Sequence, residues 1–317
     1  MKAQVIFSLS LIVIVIGGAI FLFASKAGTQ RGVDLGFKLY EPSLDSLRLC
    51  ERIADEEIDT VLLYAELGED CCCETINRFA DRNYKVVLTL LFYDQDNSDY
   101  RLKQIANGYY DNDIKRWARE LRDNGRPVIL RPLHEFNGDW YPWGVYTKKN
   151  SIDDFIPAWR HLVYIFKNEG ADNVQFELCY NRKTWGKGST NHTFATFYPG
   201  DDYVDIVGID GFNRPENKWS TFDDIFREPY EQLVNITEKP IWIQEMASTA
   251  VGGNKSVWII DAFDKIATEY PRVESVSWFQ EDKVDPDGRV SDWAITSIGD
   301  IEAFQEGVRK IKGIKGD

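Results

Sequence analysis

Short β-rich runs recur along this chain, separated by stretches of helical period, and that alternation constrains the fold more than any other feature. Eight such runs stand at residues 33–40, 60–66, 85–93, 127–136, 174–181, 204–212, 240–246 and 273–279. Helical patterns occupy 44–58, 74–83, 111–124, 152–168, 222–236, 255–270 and 298–311, while 182–202 has no clear period. Parallel strands need crossover connections, and helices between strands supply them. An open doubly wound sheet would satisfy the same order, but such sheets carry a glycine-rich phosphate loop after the first strand, and none is visible here. The expected fold is therefore α/β, a (β/α)8 TIM barrel over residues 28–317, preceded by a hydrophobic signal or anchor segment at 1–27. In such a barrel the carboxyl ends of all the strands surround one mouth, and polar and aromatic residues cluster at those ends in this sequence.

Residues 5–24 are apolar but for two serines, about the ~20 residues that cross a bilayer and longer than the core of a typical cleaved signal. Ser25-Lys26-Ala27 offers a small-x-small cleavage site. Either way the barrel is expected outside the cell, secreted or tethered through 5–24 at the cell surface, and monomeric. Sequons at Asn191, Asn235 and Asn254 would be usable only on an exported chain. The net charge of −14 opposes long-range attraction to phosphate backbones and anionic lipid, which argues against nucleic acid as a partner and favours a neutral or weakly charged substrate. Ten tryptophans are present, and Trp140, Trp143, Trp185 and Trp219 stand among polar residues, a setting that suits sugar faces.

Five cysteines include the run Cys71-Cys72-Cys73. A disulfide from this run to Cys50 is one reading; a zinc site is disfavoured, because adjacent thiolates lack the C-x2-C spacing that converges on one ion. Cys179 reads as a core residue of a strand. The three histidines, His134, His161 and His192, show no ligand spacing, so neither a catalytic metal nor any other cofactor is expected. His161 lies in a helical stretch and reads as structural.

Two acids end otherwise apolar strands. Arg131-Pro132-Leu133-His134-Glu135-Phe136-Asn137-Gly138 closes the fourth run, and Ile241-Trp242-Ile243-Gln244-Glu245-Met246 the seventh. Burying such groups is expensive unless they serve one another or a ligand. Retaining cleavage of a glycosidic bond needs a pair of this kind, one carboxyl protonated by its surroundings and the other an anion among donors. Taken singly, each acid reads equally well as a structural ion pair at a strand end.

The fourth run, followed by Trp140-Tyr141-Pro142-Trp143-Gly144, resembles the acid/base motif of glycoside hydrolase family 26, barrel enzymes dominated by β-mannanases. Matching stretches follow in order: Asp205-Ile206-Val207-Gly208-Ile209-Asp210-Gly211-Phe212-Asn213, Lys239-Pro240-Ile241-Trp242-Ile243-Gln244-Glu245, and Ser277-Trp278-Phe279-Gln280-Glu281-Asp282-Lys283. The resemblance implies Glu135 as acid/base and Glu245 as nucleophile. It implies His134 tuning the acid and touching the sugar, Trp140 in the loop after the acid on the leaving-group side, Trp143 among the substrate-binding residues, and Trp278 as a platform under the sugar attacked. Asn181, Asp210 and Asn213 lie at neighbouring strand ends, where they would bind hydroxyls or merely cap turns.

Two departures stand out. Many members of the family have a tyrosine at Phe212 whose hydroxyl holds the nucleophile, so Glu245 must find another donor, Gln244 or a residue of the eighth-strand loop. The third-strand histidine that mannanases use for a distal sugar is replaced by Phe92-Tyr93-Asp94-Gln95. The implied substrate is an extracellular β-linked polysaccharide, β-mannan or glucomannan first, with β-glucan and β-1,3-xylan also open. Competing accounts are a non-catalytic glycan-binding barrel and an enzyme trimming its own cell's exopolysaccharide.

Overall fold

The computed structural model describes residues 32–39, 41–93, 101–214, 218–284 and 288–313. Eight parallel strands close into a barrel: β1 (Asp34–Lys38), β2 (Thr60–Glu66), β3 (Lys85–Leu91), β4 (Val128–Pro132), β5 (Val174–Asn181), β6 (Ile206–Asn213), β7 (Ile241–Ser248) and β8 (Val273–Phe279). They pair in sequence order, and β8 returns to β1 with Gly36 opposite Ser277. The helices are α1 (Leu44–Ala54), α2 (Cys73–Ala80), α3 (Arg101–Ala106), α4 (Asp111–Asn124), α5 (Ile152–Asn168), α6 (Phe222–Ile236), α7 (Lys255–Glu269) and α8 (Ile298–Lys312). A short hairpin, β9 (Lys283–Val284) with β10 (Val290–Ser291), follows β8. The stretch beginning at 182, which lacks a helical period, holds three short 3-10 turns, Ser189–Asn191, Phe194–Phe197 and Asp201–Tyr203, in place of a crossover helix.

Strand alternation divides the side chains between two environments. Outward residues pack the helical layer: Phe37 and Trp278 both meet Phe304 of α8, and a Cβ at Gly211 would run into Ile225 and Phe226 of α6. Inward residues start as a small apolar plug of Leu62, Val87, Ile129, Ile206 and Trp242. Towards the mouth the interior turns polar, with Tyr64, Thr89, Arg131, Glu177 and Asp210. Gly208 makes room there, since a Cβ at that position would collide with a carboxylate oxygen of Glu177.

Helix ends follow the sequence closely. Ser43, Asn254 and Ser297 accept from the backbone N–H three residues on, and Thr221 forms a reciprocal capping box with Asp224. His161 of α5 pairs with Asp111 of α4 at 2.7 Å, a structural role as its helical setting suggests.

The cysteine expectation is corrected. Cys71 and Cys73 form a disulfide with each other, skipping Cys72, while Cys50 is a buried free thiol of α1. Cys179 is buried on β5. The hydrophobic run 5–24 and the cleavage site at 25–27 lie outside the described residues; among those described, no helix is long and apolar enough to cross a membrane.

Candidate active site

Strand β4 stops at Pro132, earlier than the apolar pattern suggests, and the next residues form a tight loop over the mouth. Leu133 and Glu135 both have left-handed backbone, φ 53° and 52°, a conformation costing about 1 kcal/mol or more per non-glycine residue and therefore needing support. Support comes from several directions. The Glu135 amide donates to the Cys179 carbonyl at 3.0 Å, and the Trp143 indole N–H donates to the His134 carbonyl at 2.8 Å. Asn137 clamps the loop to β5 in both directions, donating to the Asn181 carbonyl at 2.9 Å and accepting from the Asn181 amide at 2.8 Å. Phe136 stacks on Phe155 of α5 at 3.7 Å.

So held, the Glu135 carboxyl accepts from Asn181 Nδ2 at 2.6 Å and from Trp140 Nε1 at 2.8 Å. Burial raises its pKa and the charge of Glu245 raises it further, against the opposing pull of Asn181, Trp140 and Arg131. The carboxyl is thus biased towards its protonated form.

Glu245 reaches the same mouth through a β-bulge. Ile209 pairs with Ile243, but Asp210 pairs with Glu245, so Gln244 is an extra residue that shifts the parity of β7. One Glu245 oxygen accepts from Arg131 at 2.5 Å and from the Tyr64 hydroxyl. Burial and then the Glu245 charge push the Tyr64 pKa well above normal, so the phenol stays a donor. The donor is therefore neither Gln244, which bonds Ser277 at 3.4 Å, nor a residue of the eighth-strand loop, but a tyrosine from β2. Its signal lay in the sequence: Tyr64 has the inward parity of Thr60 and Leu62 and comes near the end of its strand.

Behind Glu245, Arg131 also meets Asp210 at 3.0 Å, both side chains fully buried. Glu177 lies in the same interior. One guanidinium cannot neutralise three carboxylates. Burial raises Glu177 to about 8 and Asp210 well above its usual range, with Arg131 pulling both down and Glu245 pushing both up.

Other expected site residues fall differently. His134 is buried behind Tyr141, Trp143 and Tyr64, and burial together with Arg131 drives its pKa well down. It is a neutral ring that packs the acid's loop and lines neither hollow of the mouth, in contrast to the expected sugar contact. Trp143 is fully buried, stacked on Tyr141 at 4.7 Å. Asp210 is bound to Arg131, and Asn213 braces loops, donating to Ser248 at 3.0 Å and accepting from the Ser220 amide at 3.1 Å. Trp278 is corrected outright: Ser275, Ser277 and Phe279 take the inward positions of β8, which turns the indole outward to Trp258 and Phe304. In the hollow that holds Glu245 the lining indole is Trp293, stacked on Phe212 at 4.4 Å and edge-on to Phe279.

Two hollows meet at Glu135, Tyr141, Phe212 and Arg214. One, about 620 Å³, holds Glu245, Tyr64, Phe279 and Trp293; the other, about 750 Å³, holds Trp140, Asn181 and Trp185. They make one groove passing the two acids, with Trp140 and Trp185 exposed along it. A carboxyl biased towards protonation and a second with two strong donors, sharing a groove walled by aromatics, can divide acid and nucleophile roles on one bound sugar chain.

The class this defines is a barrel glycosidase, and comparison with known proteins agrees. The profile of glycosyl hydrolase family 26 matches residues 87–290. Endoglucanase H of Acetivibrio thermocellus is 32% identical in an alignment covering 97% of this chain and 34% of that protein. A mannan endo-1,4-beta-mannosidase of Bacillus subtilis is 27% identical over 62% of this chain and 49% of that protein. The structure of a GH26 beta-mannanase from Bacteroides ovatus superposes with a TM-score of 0.63 at 15% identity, covering 89% of this chain and 90% of that one. The chain belongs to glycosyl hydrolase family 26. It spans about a third to a half of the length of these two sequence relatives.

Proposed function

We propose that this protein cleaves a β-linked polysaccharide by double displacement, with Glu245 as nucleophile and Glu135 as acid/base. Glu245 attacks the anomeric carbon while the bond to the leaving oxygen breaks and Glu135 gives that oxygen its proton. Water then attacks the glycosyl-enzyme ester, losing its proton to Glu135 and freeing Glu245. The observation that carries this reading is the opposed setting of two acids on one groove: Glu135 is pushed towards its neutral form partly by the charge of Glu245, whose oxygen is held by Tyr64 and Arg131. A groove open on both sides of Glu135 supports attack within a chain rather than at its end. The apolar run at 5–24 supports a secreted or surface-tethered location.

Of the two sequence relatives, the one named an endoglucanase aligns with 97% of the chain and the mannosidase with 62%, so a β-glucan stands beside β-mannan as backbone. Assay of the protein on mixed-linkage glucan, mannan, glucomannan, cellulose and β-1,3-xylan decides between them. New reducing ends are expected from glucan or mannan. Binding of these chains with no new reducing ends from any of them would replace the enzyme by a glycan-binding barrel.

Tyr64 acts through Glu245 and is a positioning residue. Tyr64→Phe is expected to lower kcat about 10²-fold with KM little changed, the scale of one lost preorganised donor. A kcat within twofold of the parent would remove Tyr64 from the mechanism.

A further inference from the structure

The charge of the groove runs against that of the molecule. On a chain of net charge −14, the two hollows are lined by the basic side chains Lys38, Arg182, Lys183, Arg214, Lys218 and Lys283 against three acids, Glu135, Glu245 and Glu281. In the arm holding Tyr64 and Glu245 the charges are largely answered: Arg131 bonds Glu245, and Glu281 pairs with Lys38 and lies 3.5 Å from Lys283. The arm holding Trp140 and Asn181 is different. Arg182, Lys183, Arg214 and Lys218 all line it, and none of the four forms a close salt bridge among the described residues, although the Asp224 charge acts on Arg182 and Lys218.

Two of these cations are positioned rather than loose. The Arg214 guanidinium lies over Phe212 and Trp293, 5.3 and 5.1 Å from the ring centroids, and lines both hollows of the groove, as Glu135 does. Arg182 is partly buried at the end of β5, its amide donating to the Asp210 carbonyl at 2.8 Å. Burial and then the charge of Arg214 pull the Arg182 pKa down; Asp224, already committed to capping α6, only partly offsets them. Like charges lining one hollow are unfavourable until an anion arrives. A neutral sugar leaves that repulsion in place, whereas a carboxylate or sulfate removes it. The negative field of the rest of the surface would repel an anionic chain, so a locally basic groove is what its entry requires.

We propose that the arm beyond Trp140 is a subsite for an anionic sugar, and that the substrate is an acidic β-glycan carrying carboxylate or sulfate groups downstream of the cut. This reverses the neutral substrate suggested by overall charge, and it rests on the glycosidase reading for which side leaves. Trp140 and Trp185 take the sugar faces, and the arginines take the charge.

The test measures binding to the full-length Glu135→Gln protein, so that affinity is read without turnover. Three probes share one backbone: a mixed-linkage gluco-oligosaccharide, the same with its primary hydroxyls oxidised to carboxylates, and the same sulfated. At least one anionic probe is expected to bind about tenfold tighter than the neutral one at low salt, with the preference shrinking as ionic strength approaches ~1 M. In the background of Arg182→Gln with Arg214→Gln the ratio is expected to fall to about one. Whichever anionic probe is preferred identifies carboxylate or sulfate as the group recognised. Equal or weaker binding of both anionic probes, a preference that survives the double substitution, or no binding of any probe overturns the proposal. Parent-enzyme turnover of the same probes separates the two claims, since hydrolysis without charge preference sinks only this one, and charge preference without hydrolysis sinks only the enzyme reading.

Discussion

Glu245→Ala is expected to lower kcat on polysaccharide by roughly 10⁴-fold or more, because it removes the carboxylate that forms the glycosyl ester. Glu135→Ala should lose about 10²–10⁴-fold on the same substrate but much less on aryl glycosides whose leaving group departs without a proton. That contrast, large for one acid and substrate-dependent for the other, distinguishes the two roles in a way that simple loss of activity cannot. The pH profile adds a second handle. Glu135 must be protonated to act, and burial with the Glu245 charge raises its pKa, so the alkaline limb of kcat/KM should fall above the ordinary carboxylate range. Removing the neighbouring charge in Glu245→Gln should move the Glu135 titration downward, as read by carboxyl NMR. An unmoved titration would mean the two acids do not sense each other.

Arg131→Met is expected to destabilise the fold by about 3–5 kcal/mol as well as abolish activity. The guanidinium is fully buried and is the cation beside Glu245, Asp210 and Glu177. Without it Asp210 and Glu177, already raised by burial and held down in part by Arg131, keep their protons to still higher pH when folded than when unfolded. A raised folded pKa contributes stability that is present below the unfolded value and lost as pH climbs towards the folded one, so the deficit should grow from pH ~5 to pH ~8. Urea unfolding at the two pH values measures it. A deficit below about 1 kcal/mol, or one independent of pH, would show that the buried acids do not depend on Arg131.

Most of the barrel could be read from the order of strands and helices, because crossover connections leave a period in the sequence that survives without any tertiary information. The two acids were legible for a similar reason: a charged residue ending an apolar strand is costly unless used. What escaped depended on parity and on long-range contact. Trp278 matches a family motif that implies a place at the mouth, yet Ser275 and Ser277 occupy the inward positions of β8, and alternation alone turns it outward. Gln244 and Glu245 defeat the same rule, since the bulge in β7 lets the second of two consecutive residues reach the mouth, and no local signal announces it. Tyr64 and Trp293 come from β2 and from the segment after β9 and β10, so their meeting with Glu245 and Phe212 exists only once the barrel closes. The cysteine run illustrates short range instead: Cys71 and Cys73 bridge each other, and Cys50 stays a free thiol.

Covalent trapping bears on the central assignment most directly. A 2-deoxy-2-fluoro glycoside with a good leaving group slows breakdown of the ester, so an enzyme working by double displacement accumulates it and intact mass rises by one glycosyl unit. Peptide mapping should then place that unit on Glu245. A label on any other residue, or a substrate turned over with inversion at the anomeric carbon and no adduct, would contradict the account.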